Sequence, residues 1–528
     1  MGTAGRGAII ALTIVFACLG VTFAAVAPTF QAPDEPPHLD MIRHQAVHPF
    51  DVPGPDLRMS RAVQDAVEQV GLPQGGPIEW QDGAPPRPAY TALSAPGGDA
   101  PASHCVVRGM PPTCQNYHYV HPPTYYVLTA PIVALLEDEP VPRVVLVLRL
   151  LGVALAAPAV ALTAVAARRV WPHAVGRPIA AAAGVALFTP FAAAAAAMNN
   201  DALLYLLGAV AVAAMAALVR APSPLRAGAL GAVAGAAMLV KVTAVPLAAA
   251  VGIVAVVAAA AADDGRRLRT LAAFALPAAV GGAWWLANVV RFGSFQPAGT
   301  EILQPPRPGP HTSTSVVRYA TEHVDELIDR FWGLYGQTAV ATPQAWTRAL
   351  TLACVGLALG WVVARPWRRP TARGARIALL GLAPVLLGAA SVATSYAVYR
   401  RSGEVRGLLG RYLYPGLPAI AIGLAAAVGA IADRLRAAPV RAAAAAAWIG
   451  GLTILAAAAA AHALRGLYGT SDLSLLLARA HAVAPTAVPG RWLAVAAVVA
   501  AAGVVASAAF TVAAVRQENP KSAAVDPR

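Results

Sequence analysis

Residues 8–40 read AIIALTIVFACLGVTFAAVAPTFQAPDEPPHLD. Ala8 to Ala27 carry no charge, and a helix of that length, at about 1.5 Å per residue, crosses the roughly 30 Å of hydrocarbon in a bilayer. Directly beyond it stand Asp34, Glu35, His38 and Asp40, so the first span delivers titratable groups to a membrane surface. Apolar runs of similar length recur to the end of the 528 residues. The chain is 58% hydrophobic and 12% charged, with a mean hydropathy of +0.59, where soluble domains carry about twice that charged fraction. The expected fold is all-α, a polytopic transmembrane helical bundle with a large extracytoplasmic loop after the first span.

Twelve candidate spans follow, at 8–27, 143–167, 178–198, 202–219, 227–241, 244–262, 270–290, 346–364, 377–397, 411–431, 442–464 and 490–515. Every second link between them is basic. These links hold Arg168, Arg169 and Arg177; Arg220 and Arg226; Arg266, Arg267 and Arg269; Arg365, Arg368, Arg369, Arg373 and Arg376; and Arg434, Arg436 and Arg441. The positive-inside rule makes them cytoplasmic and places both termini inside. Segment 122–136 cannot be a further span without inverting every later loop, so it reads as a re-entrant or interfacial helix. Ala25-Val26-Ala27 mimics a signal-peptide cleavage site, but Pro28 follows at once and an uncleaved first span, 1–27, is expected. The organisation is then an extracytoplasmic loop at 28–142, spans two to seven at 143–290, a second extracytoplasmic loop at 291–345, spans eight to twelve at 346–515, and a polar cytoplasmic tail at 516–528.

The net charge of +14 belongs to these arginine-rich links. No basic stripe with interleaved aromatics accompanies it, which argues against nucleic acid as a partner. Loop 28–121 is instead acidic, with ten acids against five arginines including Arg108. Within it RAVQDAVEQV, 61–70, suits an amphipathic helix, and the Pro/Gly-rich stretch 71–101 reads as ordered loop or flexible cover. Cys105 and Cys114 share this loop in an oxidising setting, where such a pair commonly bridges; Cys18 and Cys354 sit in apolar runs as small hydrophobes.

Five local patterns carry chemistry. Asp34 can cap a helix begun by Pro36 and Pro37, with His38 one turn on; Asp34 and Glu35 can deprotonate a hydroxyl or hold a divalent cation, the one candidate cofactor. A capped interfacial helix with solvated acids is the plainer alternative. His121-Pro122-Pro123-Thr124-Tyr125-Tyr126 re-enters the same surface, or merely anchors there. Asn199-Asn200-Asp201 lies between spans three and four, where a tight turn would also explain it, and Asn288 with Arg291 closes span seven on that face. Of 40 basic residues only Lys241 and Lys521 are lysine, so Lys241 looks chosen as a compact point charge for phosphate, with snorkelling as the alternative. Arg400, Arg401, Arg406 and Arg411 oppose the positive-inside trend and call for an anion, such as a lipid phosphate, headgroup contact or the acidic first loop. Together the patterns describe a site that holds a phosphate at the membrane surface and activates a polar acceptor above it.

Pro33-Asp34-Glu35 with His38, then His121-Pro122-Pro123 with Tyr125-Tyr126, resemble in order and placement the bacterial membrane family known as domain of unknown function 2142. The resemblance continues through Asn199-Asn200-Asp201, Leu239-Val240-Lys241-Val242-Thr243, Trp284-Trp285 with Asn288 and Phe292-Gly293, Phe331-Trp332-Gly333, and Gly410-Arg411-Tyr412 with Pro415. That family is similar to the GT-C class of integral-membrane glycosyltransferases, which includes protein O-mannosyltransferases and aminoarabinose lipid A transferases. The resemblance implies a polyprenyl-phosphate-linked sugar as donor and a glycan, lipid or protein as acceptor. It implies Asp34 as base with Glu35 as neighbour or alternative, Lys241 and Arg411 as phosphate ligands, and His121 as a positioning group, with Tyr412 beside Arg411. Two prolines after Glu35 depart from the pattern. The rival reading is a transporter or flippase of lipid-linked saccharides, which would place ions at the midplane within an internal repeat; no clear repeat is visible.

Overall fold

The structure is a computed structural model that describes residues 2–73, 76–95, 97–102, 104–107, 113–295, 306–363, 372–435 and 437–517. Arg108, Arg365, Arg368, Arg369, Arg436, and Lys521 with the rest of the tail from 518 onward, lie outside the described residues. Among the described residues ten helices are long and apolar enough to cross a membrane, or eleven if one bent pair counts as a span. The chain is a multi-pass helical membrane protein.

The first span is α1, Thr3–Val26. A polar layer then holds α2 (Glu35–Val47), α3 (Arg61–Val70), a 3₁₀ turn at Tyr117–Val120 and α4 (Thr124–Leu135). The twelve residues of α4, interrupted by Pro131, pack on α2 and are too short to cross. The chain returns through α5 (Val141–Ala156) and α6 (Pro158–Val170), one span nicked where Pro158 starts a new first turn. The expected span 178–198 is broken instead. Here α7 (Gly176–Ala186) and α8 (Thr189–Ala195) meet at 57°, because Phe188 is extended and Pro190 opens α8.

Next come α9 (Asp201–Arg220) and α10 (Pro224–Met238). With 15 residues α10 is short for a span and is not among the ten helices counted above. The turn that follows nevertheless brings Lys241 back to the level of Asp201. Then follow α11 (Val245–Ala260), α12 (Asp264–Phe292), α13 (Val316–Trp332), a two-stranded hairpin Leu334–Tyr335 with Val340–Ala341, α14 (Gln344–Val363) and α15 (Ala372–Ser402). A 3₁₀ turn at Gly410–Gly416 leads into α16 (Leu417–Ala432), followed by α17 (Ala438–Tyr468), α18 (Leu473–Val483) and α19 (Pro489–Arg516).

Small residues set the closest approaches, as expected where lipid supplies no hydrophobic drive between helices. A Cβ on Gly231 would strike the carbonyl of Phe274, and one on Gly281 the carbonyl of Gly235, so α10 and α12 lie backbone to backbone. The first and last helices also close on each other, with Gly7 under the Phe510 ring and Gly503 against Val15. Apolar residues such as Leu286, Ile454 and Val498 on α12, α17 and α19 stay exposed, a surface that suits lipid. Residues 76–95 form a strap across the C-terminal helices: the Trp80 indole donates to the Leu467 carbonyl, and Arg87 to those of His481 and Ala484.

One ion pair joins the bundle to the polar layer. Arg149 of α5 and Glu35 of α2 are both fully buried, and the guanidinium donates two parallel bonds of 2.7 Å to the carboxylate. Its remaining donors reach the Ala27 and Pro28 carbonyls at 2.8 and 2.9 Å, while Glu35 also accepts the Met198 amide at 3.2 Å. Removing one partner strands a buried charge, so Arg149→Met or Glu35→Gln should each cost about 3–5 kcal/mol, and Arg149→Met with Glu35→Leu should cost far less than the sum. Thermal unfolding of the purified variants checks this; single variants that melt like the parent would refute it.

Candidate functional site

Asp34 is the N-cap residue of α2, but its carboxylate caps nothing. The backbone is left-handed, φ 61 and ψ 21, a conformation that Asp and Asn tolerate better than most residues. The side chain accepts a 2.7 Å bond from Arg411 Nη2 and a 3.5 Å bond from the Tyr117 hydroxyl. Arg411 is held in place because Gly410 lies on the backbone of Phe331, where a Cβ would collide with Cα. Its Nε stands 3.4 Å from Asp201 Oδ2, a charge contact that lacks hydrogen-bond geometry. Asp201 Oδ1 in turn takes Lys241 Nζ at 2.8 Å. Both cations lie against the Tyr412 ring, Lys241 at 5.2 Å and Arg411 at 5.6 Å from its centroid. Asn200 donates to the Val240 carbonyl at 3.2 Å and so ties the start of α9 to the Lys241 turn.

Beside the carboxylates lie three buried imidazoles. The rings of His38 and His118 are 4.0 Å apart and those of His118 and His121 are 5.1 Å apart, while the Tyr126 hydroxyl meets His38 Nδ1 at 3.0 Å. Several buried polar atoms here have no hydrogen-bond partner: both ring nitrogens of His118, Nδ1 of His121, the hydroxyls of Tyr125 and Tyr205, and Asn200 Oδ1. Orphaned buried groups are rare and costly in native proteins. Those of His118, His121, Tyr125, Tyr205 and Asn200 lie beside the paired charges and leave hydrogen-bonding capacity open there.

Burial alone would raise the Asp34 carboxyl, but Arg411, His118 and Lys241 outweigh it and hold the group below the usual carboxylate range. Burial keeps His38 and His121 well below the ordinary imidazole value, with neighbouring positive charge adding to it. His118 is driven down to about 3 by burial, against the pull of Asp34.

The structure thus gathers Asp34, His38, His121, Tyr125, Asn200, Asp201, Lys241, Arg411 and Tyr412 at one end of the bundle. Asn288 is buried a turn beyond Trp285, whose indole bonds the Met238 carbonyl just ahead of the Lys241 turn. Other candidates part from the group. Glu35 has both oxygens taken by Arg149 and serves structure. That also removes it as half of a cation site, and no cluster of three His, Cys, Asp or Glu among the described residues is arranged to hold a metal. Arg291 is exposed against the Phe292 ring, and Arg400 and Arg401 are exposed at the end of α15. Cys105 and Cys114 are free rather than bridged. The Gln64 amide lies between 3.8 and 3.9 Å from both sulfurs, and burial together with the adjoining Cys105 pushes the Cys114 thiol up to about 12.

Sequence reasoning missed Arg149, Tyr117 and His118. An arginine inside an apolar run is itself a signal in a membrane helix, and His118 precedes His121 by one turn of a 3₁₀ helix in Tyr117–Val120.

No family model matches the sequence, and no curated protein matches it. Among solved structures the chain is similar to ArnT from Cupriavidus metallidurans bound to undecaprenyl phosphate, at 16% identity over 97% of this chain and 76% of that one, with a TM-score of 0.45. The apo state of the same protein gives 16% identity over 96% and 76%, with a TM-score of 0.42. The Archaeoglobus fulgidus oligosaccharyltransferase in complex with Zn and sulfate gives 12% identity over 90% and 53%, with a TM-score of 0.35.

The neutral histidines carry a pH consequence. The unfolded chain binds their protons near pH 6.5 and the folded chain does not, so stability is lost as pH falls below that value, by up to about 1.4 kcal/mol per histidine per pH unit. Melting temperatures should therefore drop from pH 7.5 to 5, and His118→Gln should flatten that slope by about a third, as one of three contributors. A profile unchanged by the substitution would show that His118 is already charged in the folded state.

Proposed function

We propose that this chain moves a sugar from a polyprenyl-phosphate donor to an acceptor hydroxyl at the outer face of the cytoplasmic membrane, with Asp34 as general base. The observation that carries the reading is the chain of contacts Asp34–Arg411–Asp201–Lys241 set among unpartnered buried polar groups. Alternation of arginine-rich links supports the outer location and cytoplasmic termini. Kinship with the domain of unknown function 2142 family and the GT-C class belongs to the same proposal, as does the choice of a glycan, lipid or protein as acceptor.

In this mechanism the acceptor O–H gives its proton to Asp34 while its oxygen attacks the anomeric carbon. The bond from that carbon to the phosphate oxygen breaks, and the lipid phosphate leaves with the electron pair, inverting the configuration. Lys241 and Arg411 stabilise the departing charge. The resting cluster is balanced, two carboxylates against two cations, with the histidines neutral. A donor phosphate must therefore compete with Asp34 for Arg411, and its arrival releases a carboxylate that Arg411 otherwise holds as a weak base. His38, His118 and His121 can bond sugar or acceptor hydroxyls without adding charge.

Asp34→Asn keeps the shape and the left-handed backbone. In nanodiscs supplied with labelled polyprenyl-phosphate sugars and an envelope extract as acceptor, it should lower turnover by about 10²- to 10⁴-fold, the usual worth of a positioned base, while donor binding persists. Lys241→Gln should chiefly weaken donor binding. Transfer by Asp34→Asn at the parent rate would overturn the assignment, and label that crosses the bilayer without transfer would favour the flippase.

A further inference from the structure

The opposite end of the bundle carries a second feature that the proposed reaction does not use. α9 runs from Asp201 to Arg220, some 30 Å at 1.5 Å per residue, so Arg220 marks a level far from the charge cluster. There a crevice of about 460 Å³ opens between α7, α16, α17 and α19. Its walls are apolar, among them Ile179, Val428 and Val515, and Trp448 stands in it with its indole toward the Ala180 carbonyl at 3.4 Å.

The rim is charged because it is built from helix ends. Arg177 is the second residue of α7, Arg441 lies in the first turn of α17, and Asp433 directly follows α16. Arg177 is a placed side chain. It lies across Gly429, where any Cβ would meet its Nε, its guanidinium stands 5.5 Å over the Trp171 ring, and it pairs with Asp433. Its Nε is buried without a partner. Asp433 is 62% exposed, so screening leaves this pairing weak and replaceable by a stronger anion. Among the described residues that line the crevice two guanidiniums stand against one carboxylate, and Arg441 also donates to the Leu435 carbonyl at 3.4 Å.

We propose that this crevice binds one anionic glycerophospholipid, an acyl chain lying against α7 and α17 and the phosphate resting on Arg177 and Arg441. Charge and shape select this occupant: an apolar slot of this size takes hydrocarbon, and a basic rim between membrane helices takes a lipid phosphate. Water-soluble anions have no use for the slot, and neutral lipids have none for the rim.

Native mass spectrometry of the full chain, released from nanodiscs of equal phosphatidylglycerol and phosphatidylcholine, tests the site. The parent should retain one phosphatidylglycerol in preference to phosphatidylcholine. Arg177→Gln with Arg441→Gln should reduce that preference about tenfold, and Asp433→Asn, which removes the competing carboxylate, should raise it. Ala445→Phe fills the apolar slot without touching charge and should expel either lipid, which keeps the test decisive if the arginine variants fold poorly. Retention by the double arginine variant equal to the parent, or full retention by Ala445→Phe, would overturn the proposal. So would thermal stabilisation by inorganic phosphate alone equal to that by phosphatidylglycerol, which would make the rim a simple anion site.

Discussion

The buried pair of Arg149 and Glu35 is the constraint on which the geometry of the charge cluster rests. A guanidinium and a carboxylate taken wholly out of water are tolerable only if nearly every donor and acceptor is met, and here they are met by the end of α1, the start of α2 and the turn before α9. Those three places are the ones that frame the cluster. Asp34 is the neighbour of Glu35 along the chain and Asp201 is three residues from Met198, so fixing the pair fixes both carboxylates relative to the bundle. The interaction need not add net stability to be decisive, because one arrangement satisfies it and displaced arrangements strand a charge.

Around that joint the molecule separates its charges by depth. Carboxylates, imidazoles and two selected cations lie at one end, and arginines predominate at the other, where Arg169 lies in the field of Arg220 and Arg226. Between them runs an interior rich in alanine and valine with aromatic packing beneath the cluster, where Phe188, Phe191, Phe331 and Tyr414 meet within 6 Å of one another in successive pairs. That low-dielectric floor strengthens every charge interaction above it.

Much of this was legible in the residues, since hydrophobic length gives spans and the rarity of lysine singled out Lys241. Asp34, Asp201, Lys241 and Arg411 could be named without coordinates because each breaks the apolar background near a helix end. Partnership was not legible. Nothing local distinguishes Asp34 from Glu35, and only the fold shows that one faces Arg411 while the other is consumed by Arg149, more than a hundred positions away. A shared loop does bring Cys105 and Cys114 side by side, with the Gln64 amide on both sulfurs. Arg400 and Arg401 share a loop with Arg411, yet only Arg411 is carried inward, by a glycine that permits close approach to α13.

The packing of α1 against α19 has an implication for how the molecule is made. A membrane protein is inserted vectorially, and α1 leaves the ribosome long before α19, so its small-residue face must wait for that mate. Asp34 precedes Arg411 by most of the helices of the bundle, so the charge cluster closes only after those helices have been made. A product terminated before Arg411 would leave Asp34 without its cation and the small-residue face of α1 without α19, an unmatched surface that quality-control proteases can recognise.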